Sequence, residues 1–127
     1  MIVVDASAAL SALLNSGAAR TLLAQERVHV PHLVDSEIAG ALRRSVARQD
    51  VTAEAGWAAL DTWRRLGMTR HPGVTLLDRV WQLREKVSAY DATYVALAEA
   101  LGCALVTADS QLSQAPGVQC AITVVPR

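Results

Sequence analysis

Short runs of β-branched residues alternate with segments of helical periodicity along the whole chain. The expected strands occupy residues 2–4, 28–30, 68–71, 104–106 and 121–125. The expected helices occupy residues 6–14, 18–25, 34–49, 52–66, about 75–86 and 91–101. Alternation of this kind predicts an α/β fold with a mostly parallel central sheet of four to five strands flanked by helices. No repeat, linker or low-complexity segment interrupts it, so we expect a single domain spanning residues 1–127.

Composition and charge exclude several classes of protein. Hydrophobic residues make up 52% of the chain, which excludes a disordered protein, and the formal net charge of zero gives no overall attraction to a polyanion. Cys103 and Cys120 have no metal-ligand spacing and are interpreted as small buried hydrophobic residues in a reducing cytosol. The apolar start has no basic leader and is too short to span a bilayer, so we expect a cytoplasmic protein without membrane contact.

Acidic residues follow two of the expected strands or begin the expected helices. Asp5 ends the first strand, Asp109 closes the fourth, Asp91 begins a helix and Glu37 lies in the first turn of another. Functional groups in open α/β sheets gather outside the carboxyl ends of the strands, so these acids face one crevice if the strands are neighbours. Simpler interpretations stay open, because acids also serve as helix caps, first-turn charges and turn residues.

Four carboxylates in one small site need a neutralising charge. A hard divalent cation such as Mg²⁺ or Mn²⁺ prefers oxygen ligands and binds through a few carboxylates together with waters and a substrate phosphate. Such an ion also polarises a phosphoryl oxygen and activates water. The pattern therefore indicates phosphodiester hydrolysis as one hypothesis for this chain.

Four segments carry a resemblance to a known family. In chain order they read MIVVDASAALSALL, VDSEIAGALRR, YDATYVALAEALG and CALVTADSQL. With these motifs the sequence resembles PIN-domain proteins, and among them the VapC-type toxins of bacterial type II toxin–antitoxin systems. The resemblance implies a PIN-like nuclease domain in which acids at the carboxyl edge of the sheet bind Mg²⁺ or Mn²⁺ for RNA cleavage. The positions that match those acids are Asp5, Glu37, Asp91 and Asp109.

The resemblance also implies roles for individual residues. The three aspartates are expected to lie closest to the metal, whereas Glu37 ligates directly, ligates through a water, or acts as general base. Ser7 and Thr107 are expected to orient the carboxylates, although Ser7 equally suits a helix cap. Arg43 and Arg44 contact RNA phosphate or acids of a partner, or form a solvated helix face.

The partners that the resemblance implies are a cognate VapB-type antitoxin, an RNA substrate and a second copy of the chain. The antitoxin is expected to place a C-terminal segment across the active-site groove. Single-stranded or loop RNA, such as tRNA, is the expected substrate, because unpaired bases can be splayed out and recognised.

Two other functions compete with this hypothesis. One is a non-catalytic RNA-binding or adaptor module, against which the complete set of acids argues. The other is a phosphatase or phosphoacceptor domain, which usually has a second acid close to the strand-end aspartate and a lysine. The only lysine, Lys86, lies within an expected helix, and Asp5 is followed by Ala6 and Ser7.

The remaining polar and aromatic residues have structural interpretations. Asp35 or Ser36 is expected to cap the helix at 34–49, and the three histidines form no metal-ligand pattern. The tryptophans are expected to pack in the core or in a groove for a partner peptide. The two tyrosines are expected to lie in the core or in a pocket wall, and stacking on a base is an alternative for them. These aromatic residues are Trp57, Trp63, Trp81, Tyr90 and Tyr94.

Overall fold

Five short strands form one parallel sheet in the computed structural model, which describes residues 1–127. The strands are β1 (Ile2–Val4), β2 (Val28–Pro31), β3 (Thr69–His71), β4 (Ala104–Thr107) and β5 (Ile122–Val124). Their order across the sheet is β3-β2-β1-β4-β5, and every neighbouring pair is parallel. The predicted α/β class with a parallel sheet of four to five strands is confirmed.

Six helices flank the sheet. They are α1 (Ala6–Leu14), α2 (Ala18–Gln25), α3 (Leu33–Ala47), α4 (Ala53–Arg65), α5 (Leu77–Gln82) and α6 (Ala89–Leu101). The helix expected at about 75–86 is shorter than its pattern suggested, because a 3₁₀ turn at Val74–Leu76 precedes it. None of these helices is both long and apolar enough to cross a membrane.

The core lies around the central strand β1 and its neighbour β4. Val3, Val4, Leu105 and Val106 are almost completely buried, as expected for parallel strands that are covered on both faces. Helix α6 adds a run of buried residues from 92 to 98. This packing fixes the carboxyl ends of β1 and β4 against the start of α6, which is where the acids lie.

Asp35 does not cap α3, contrary to the sequence-based expectation. The N-cap position is His32, which makes no side-chain capping bond, and both Asp35 and Ser36 lie inside the helix. The Asp35 carboxylate instead accepts hydrogen bonds from Trp63 Nε1 (2.8 Å) and from Nε and Nη2 of Arg70 (2.8 and 2.9 Å). It therefore ties α3 to α4 and to β3.

We expect Asp35→Asn to lower the free energy of unfolding at neutral pH by about 1 kcal/mol, a small value because the Asp35 side chain is 42% exposed. The hydrogen-bonded Arg70 guanidinium holds the pKa of Asp35 below its ordinary value. A lowered folded-state pKa stabilises the fold above the unfolded pKa, and this contribution disappears as the pH falls through the folded value.

Urea unfolding at neutral and acidic pH checks this expectation. The wild type and Asp35→Asn should converge in acid, and a difference that persists unchanged there would contradict the ion-pair explanation. Asp61→Asn is the matched control, because Asp61 pairs with two arginines on the open surface of α4, where the exposed arginine partners bring little stability.

The tryptophans differ in their surroundings. Trp63 is buried at 1% exposure, whereas Trp57 and Trp81 are 56% and 68% exposed. Of the two expected locations, the core is therefore wrong for Trp57 and Trp81, and a groove for a partner peptide stays a prediction. The guanidinium of Arg64 lies 5.3 Å from the ring centroid of Trp57, and that of Arg84 lies 4.6 Å from the ring centroid of Trp81. Each exposed indole thus packs against a cation of its own helix or the turn after it.

The cysteines differ from expectation, and two of the histidines form a pair that the sequence did not predict. Cys103 and Cys120 are free thiols, but both are only partly buried. His29 and His71, on neighbouring strands, are joined by a hydrogen bond of 2.9 Å between Nδ1 and Nε2, a pairing that spacing along the sequence does not reveal.

Candidate active site

The carboxyl ends of β1 and β4 bring Asp5 and Asp109 to one edge of the sheet. Val4 lies opposite Val106 in the parallel ladder, and the amide of Asp5 donates to the carbonyl of Val106 (3.1 Å). The two strands are therefore direct neighbours, which is the condition under which the sequence predicted a shared crevice.

All four acids singled out from the sequence line one open cleft of about 660 Å³ at this edge. Asp5 and Asp109 come from the strand ends, Asp91 from the first turn of α6, and Glu37 from the second turn of α3. The cleft also contains side chains from α1, α3 and α6, namely Ser7, Leu10, Ser36, Arg44, Tyr90 and Tyr94. Arg43 does not line it.

The carboxylate of Asp5 is held by three hydrogen bonds. Its Oδ1 accepts from Ser7 Oγ (2.7 Å) and from the amide of Ala8 (2.9 Å), so Asp5 is also the N-cap of α1. Its Oδ2 accepts from Thr107 Oγ1 (2.5 Å). Asp5 is only 5% exposed, and these bonds leave little freedom for its orientation.

Ser7 and Thr107 connect the ends of the two strands through their hydroxyl groups. Each hydroxyl donates to Asp5 and accepts a backbone amide in return. Ser7 Oγ accepts from Ala108 (2.9 Å), and Thr107 Oγ1 accepts from Asp109 (3.0 Å). Both side chains thus orient the Asp5 carboxylate and fix the backbone that carries Asp109.

Asp91 lies in the first turn of α6 but is not its cap. Ser88 is the N-cap, and its hydroxyl accepts the amide of Asp91 (3.1 Å). The capping alternative for Asp91 is therefore wrong. Burial raises the pKa of Asp91, and the negative charges of Asp5 and Asp109 raise it further.

Glu37 receives a hydrogen bond from a buried phenol. The hydroxyl of Tyr94 donates to Glu37 Oε1 (2.5 Å), and Tyr94 is 1% exposed. Burial raises the pKa of Glu37, as do the charges of Asp91 and Asp5, whereas the Tyr94 hydroxyl acts in the opposite direction. Sequence reasoning gave Tyr94 no such role, although its position three residues after Asp91 places both on one helix face.

The donor set fits a hard divalent cation. The cleft contains four carboxylates, and burial together with the charges of the neighbouring acids raises the pKa of two of them, Glu37 and Asp91. No three of the acids converge closely enough to form a complete protein cage. Mg²⁺ does not need one, because it retains several waters and binds through one or two carboxylates.

Comparison with known proteins identifies the family. The model of the PIN domain matches residues 2–118. The chain belongs to the PIN-domain family. It is also 65% identical over 127 residues, covering 100% of both chains, to ribonuclease VapC9 of Mycobacterium tuberculosis. Ribonuclease VapC1 of the same species is 44% identical over 128 residues, covering 97% of this chain and 96% of VapC1. Within the PIN-domain family, the chain is thus one of the VapC-type proteins.

Solved PIN-domain structures share the fold at low sequence identity. VapC20 of Mycobacterium tuberculosis, described as a toxin that cleaves the sarcin–ricin loop, has a TM-score of 0.67 at 24% identity and covers 94% of this chain and 97% of its own. VapBC2 of Rickettsia felis gives a TM-score of 0.71 at 14% identity, with 98% of each chain covered.

Proposed function

We propose that this VapC-type protein is a Mg²⁺- or Mn²⁺-dependent endoribonuclease that acts as a toxin on single-stranded or structured RNA such as tRNA. The observation that carries the proposal is the cleft in which Asp5, Glu37, Asp91 and Asp109 meet at the carboxyl edge of the sheet. The names of its full-length relatives, which are ribonucleases, support the same activity.

One or two divalent ions would each be held by one or two of the carboxylates of Asp5, Asp91 and Asp109, together with waters. A bound ion supplies Lewis acidity toward the phosphate and activates water for its hydrolysis. The side chains of the protein provide the orientation. Ser7 and Thr107 fix the Asp5 carboxylate. Thr107 also accepts the backbone amide of Asp109 and so fixes the backbone that carries Asp109.

Glu37 is assigned the role of general base. Its Oε1 is occupied by the Tyr94 hydroxyl, which holds the carboxylate in place and leaves Oε2 to take a proton from the attacking water. A raised pKa suits this role, because a base is most effective when its pKa approaches the working pH.

The cognate partner is proposed to be a VapB-type antitoxin that covers the cleft with its C-terminal segment, and the toxin is proposed to form a homodimer. The structural likeness to VapBC2 of Rickettsia felis supports the antitoxin. An antitoxin that occupies the cleft would block access of RNA to the four acids, so neutralisation and catalysis would share one surface. The protein is proposed to act in the cytoplasm, where its RNA substrates are found.

Incubation of total cellular RNA with the purified, antitoxin-free protein tests the proposal. Discrete fragments are expected with Mg²⁺ or Mn²⁺ and none with EDTA. Activity that persists in EDTA would contradict the metal dependence. Absence of cleavage by a folded protein that binds the ion would instead favour a non-catalytic RNA-binding module.

Thr107→Val is expected to reduce cleavage by about 10- to 100-fold, as found when groups that orient metal ligands are removed. The variant should also lose about 2 kcal/mol of stability, because the buried Asp5 oxygen and the amide of Asp109 each lose a partner. Single-turnover kinetics and thermal unfolding measure the two effects. Thr107→Ser keeps the hydroxyl and should retain most activity, and a Ser variant as impaired as Val would contradict the assigned hydrogen bonds.

A further inference from the structure

Tyr90 is an exposed aromatic residue at the rim of the catalytic cleft. It lies at the start of α6, immediately before Asp91, and lines the same cleft, yet its side chain is 62% exposed. The two exposed tryptophans, Trp57 and Trp81, are each covered by an arginine, whereas the ring of Tyr90 has no aromatic or cationic partner. A free π-face thus lies beside the acids.

Arg44 provides an unpaired cation along α3 in the same cleft. It takes part in no ion pair, and its Nη1 passes 3.5 Å from the position that a Cβ on Gly40 would occupy. The guanidinium of Arg44 therefore lies along the helix beside Gly40. Arg44 follows Glu37 by seven residues, which is two helical turns or about 10 Å along the axis.

We infer that the cleft contains a nucleotide subsite for unpaired RNA, in which Tyr90 stacks on a base and Arg44 binds a phosphate. Tyr90 and Asp91 line the same cleft, so the stacked base lies close to the phosphate that is cleaved. The Arg44 guanidinium lies beside Gly40, about one helical turn from Glu37, so the phosphate that it binds lies in the same cleft as the acids. This inference rests on the proposed function and defines its substrate, because only a base outside a duplex can expose a face to the ring.

Charge and shape favour this assignment over a protein ligand for the same groups. A nucleotide brings a negative charge and a flat ring, which match the guanidinium of Arg44 and the phenol ring of Tyr90. Stacking tolerates any base, since every base has a π-face, so the subsite selects unpaired RNA more than it selects a sequence.

RNA binding by the Asp91→Asn protein tests the subsite without cleavage. Two fluorescein-labelled probes are compared by anisotropy: an adenosine homopolymer about a dozen nucleotides long, and an abasic ribose-phosphate chain of the same length. Tyr90→Ala, added to this background, should weaken binding of the first probe about 10-fold and leave the second unchanged. Tyr90→Phe keeps the ring and should bind as the parent protein does. Trp81→Ala is the matched control, because it removes an exposed ring outside the cleft.

Arg44→Gln should weaken the binding of both probes. It should also lower the slope of log affinity against log salt by about 0.7, as expected for one phosphate contact on a single strand.

If Tyr90→Ala weakens the binding of both probes equally, or of neither, the stacking role is overturned. The outcome is independent of the cleavage assay. If the wild type cleaves RNA but Tyr90→Ala binds both probes normally, only the subsite proposal fails. If binding depends on Tyr90 and on the base but the wild type does not cleave RNA, only the nuclease proposal fails.

Discussion

Replacement of Asp91 by Asn is expected to lower RNA cleavage by more than about 100-fold and, at the same time, to stabilise the metal-free protein. The loss should exceed the 10- to 100-fold cost of removing a group that merely orients a ligand, since Asp91 is proposed to bind the ion itself. The gain in stability follows from the raised pKa of Asp91. Burial and the charges of Asp5 and Asp109 make its ionised form unfavourable in the folded protein.

The same charges give the metal-free protein a defined pH dependence. A group whose folded pKa lies above its unfolded value binds its proton more tightly in the folded state, so stability falls as the pH rises from the ordinary carboxyl range through the folded pKa. Asp91 and Glu37 both contribute in this direction. In EDTA, the wild type should lose stability over this range, and Asp91→Asn should lose less.

Thermal unfolding in EDTA at several pH values, together with the cleavage assay, checks both effects. Asp78→Asn is the matched control, because Asp78 also lies in the first turn of a helix but is exposed and outside the cleft. If Asp91→Asn were instead less stable than the wild type in EDTA, the carboxylate would support the fold. That result would contradict the proposed repulsion.

Glu37→Gln is expected to lower the rate of the chemical step by about 100-fold or more, which is within the range for removal of a general base. The affinity for Mn²⁺ should change little, because the amide still accepts the hydrogen bond of Tyr94 and the three aspartates remain. Single-turnover cleavage and calorimetric titration with Mn²⁺ measure the two quantities separately.

If Glu37→Gln lost both Mn²⁺ affinity and cleavage rate, Glu37 would be a metal ligand and not the general base that activates the water. Ser36→Ala serves as the control at the adjacent position of α3, since Ser36 lines the cleft without a carboxylate. The variant should retain both Mn²⁺ binding and cleavage.

The sequence predicted those features that depend on local periodicity. The strand at Ile2–Val4 and the helix at Ala6–Leu14 were expected with the bounds that the structure shows, because a β-branched run and an apolar helical segment meet at Asp5. The convergence of Asp5 with Asp109 was predicted only on the condition that their strands are neighbours, because parallel strands end at the same edge, and the pairing of β1 with β4 meets that condition.

Contacts between distant segments were not predictable in this way. Asp35 satisfied the rule for a helix cap, but its partners Trp63 and Arg70 are 28 and 35 residues away and become visible only when α4 and β3 pack against α3. The bond from Tyr94 to Glu37 spans 57 residues. Trp57 and Trp63 were expected in the core or in a groove for a partner peptide. Six residues turn a helix about 120° away from alignment, and only Trp63 reaches the core.

The location of bound Mn²⁺ in crystals of the wild-type protein is the most direct test of the central claim. An anomalous difference map should show one or two peaks between Asp5, Asp91 and Asp109, at metal–oxygen distances of about 2.0–2.2 Å to at least one of these carboxylates. The same soak of Asp91→Asn crystals should show a weaker peak or none. Mn²⁺ bound only outside this cleft, in crystals of a protein that cleaves RNA with Mn²⁺, would contradict the assignment of these acids as the metal site.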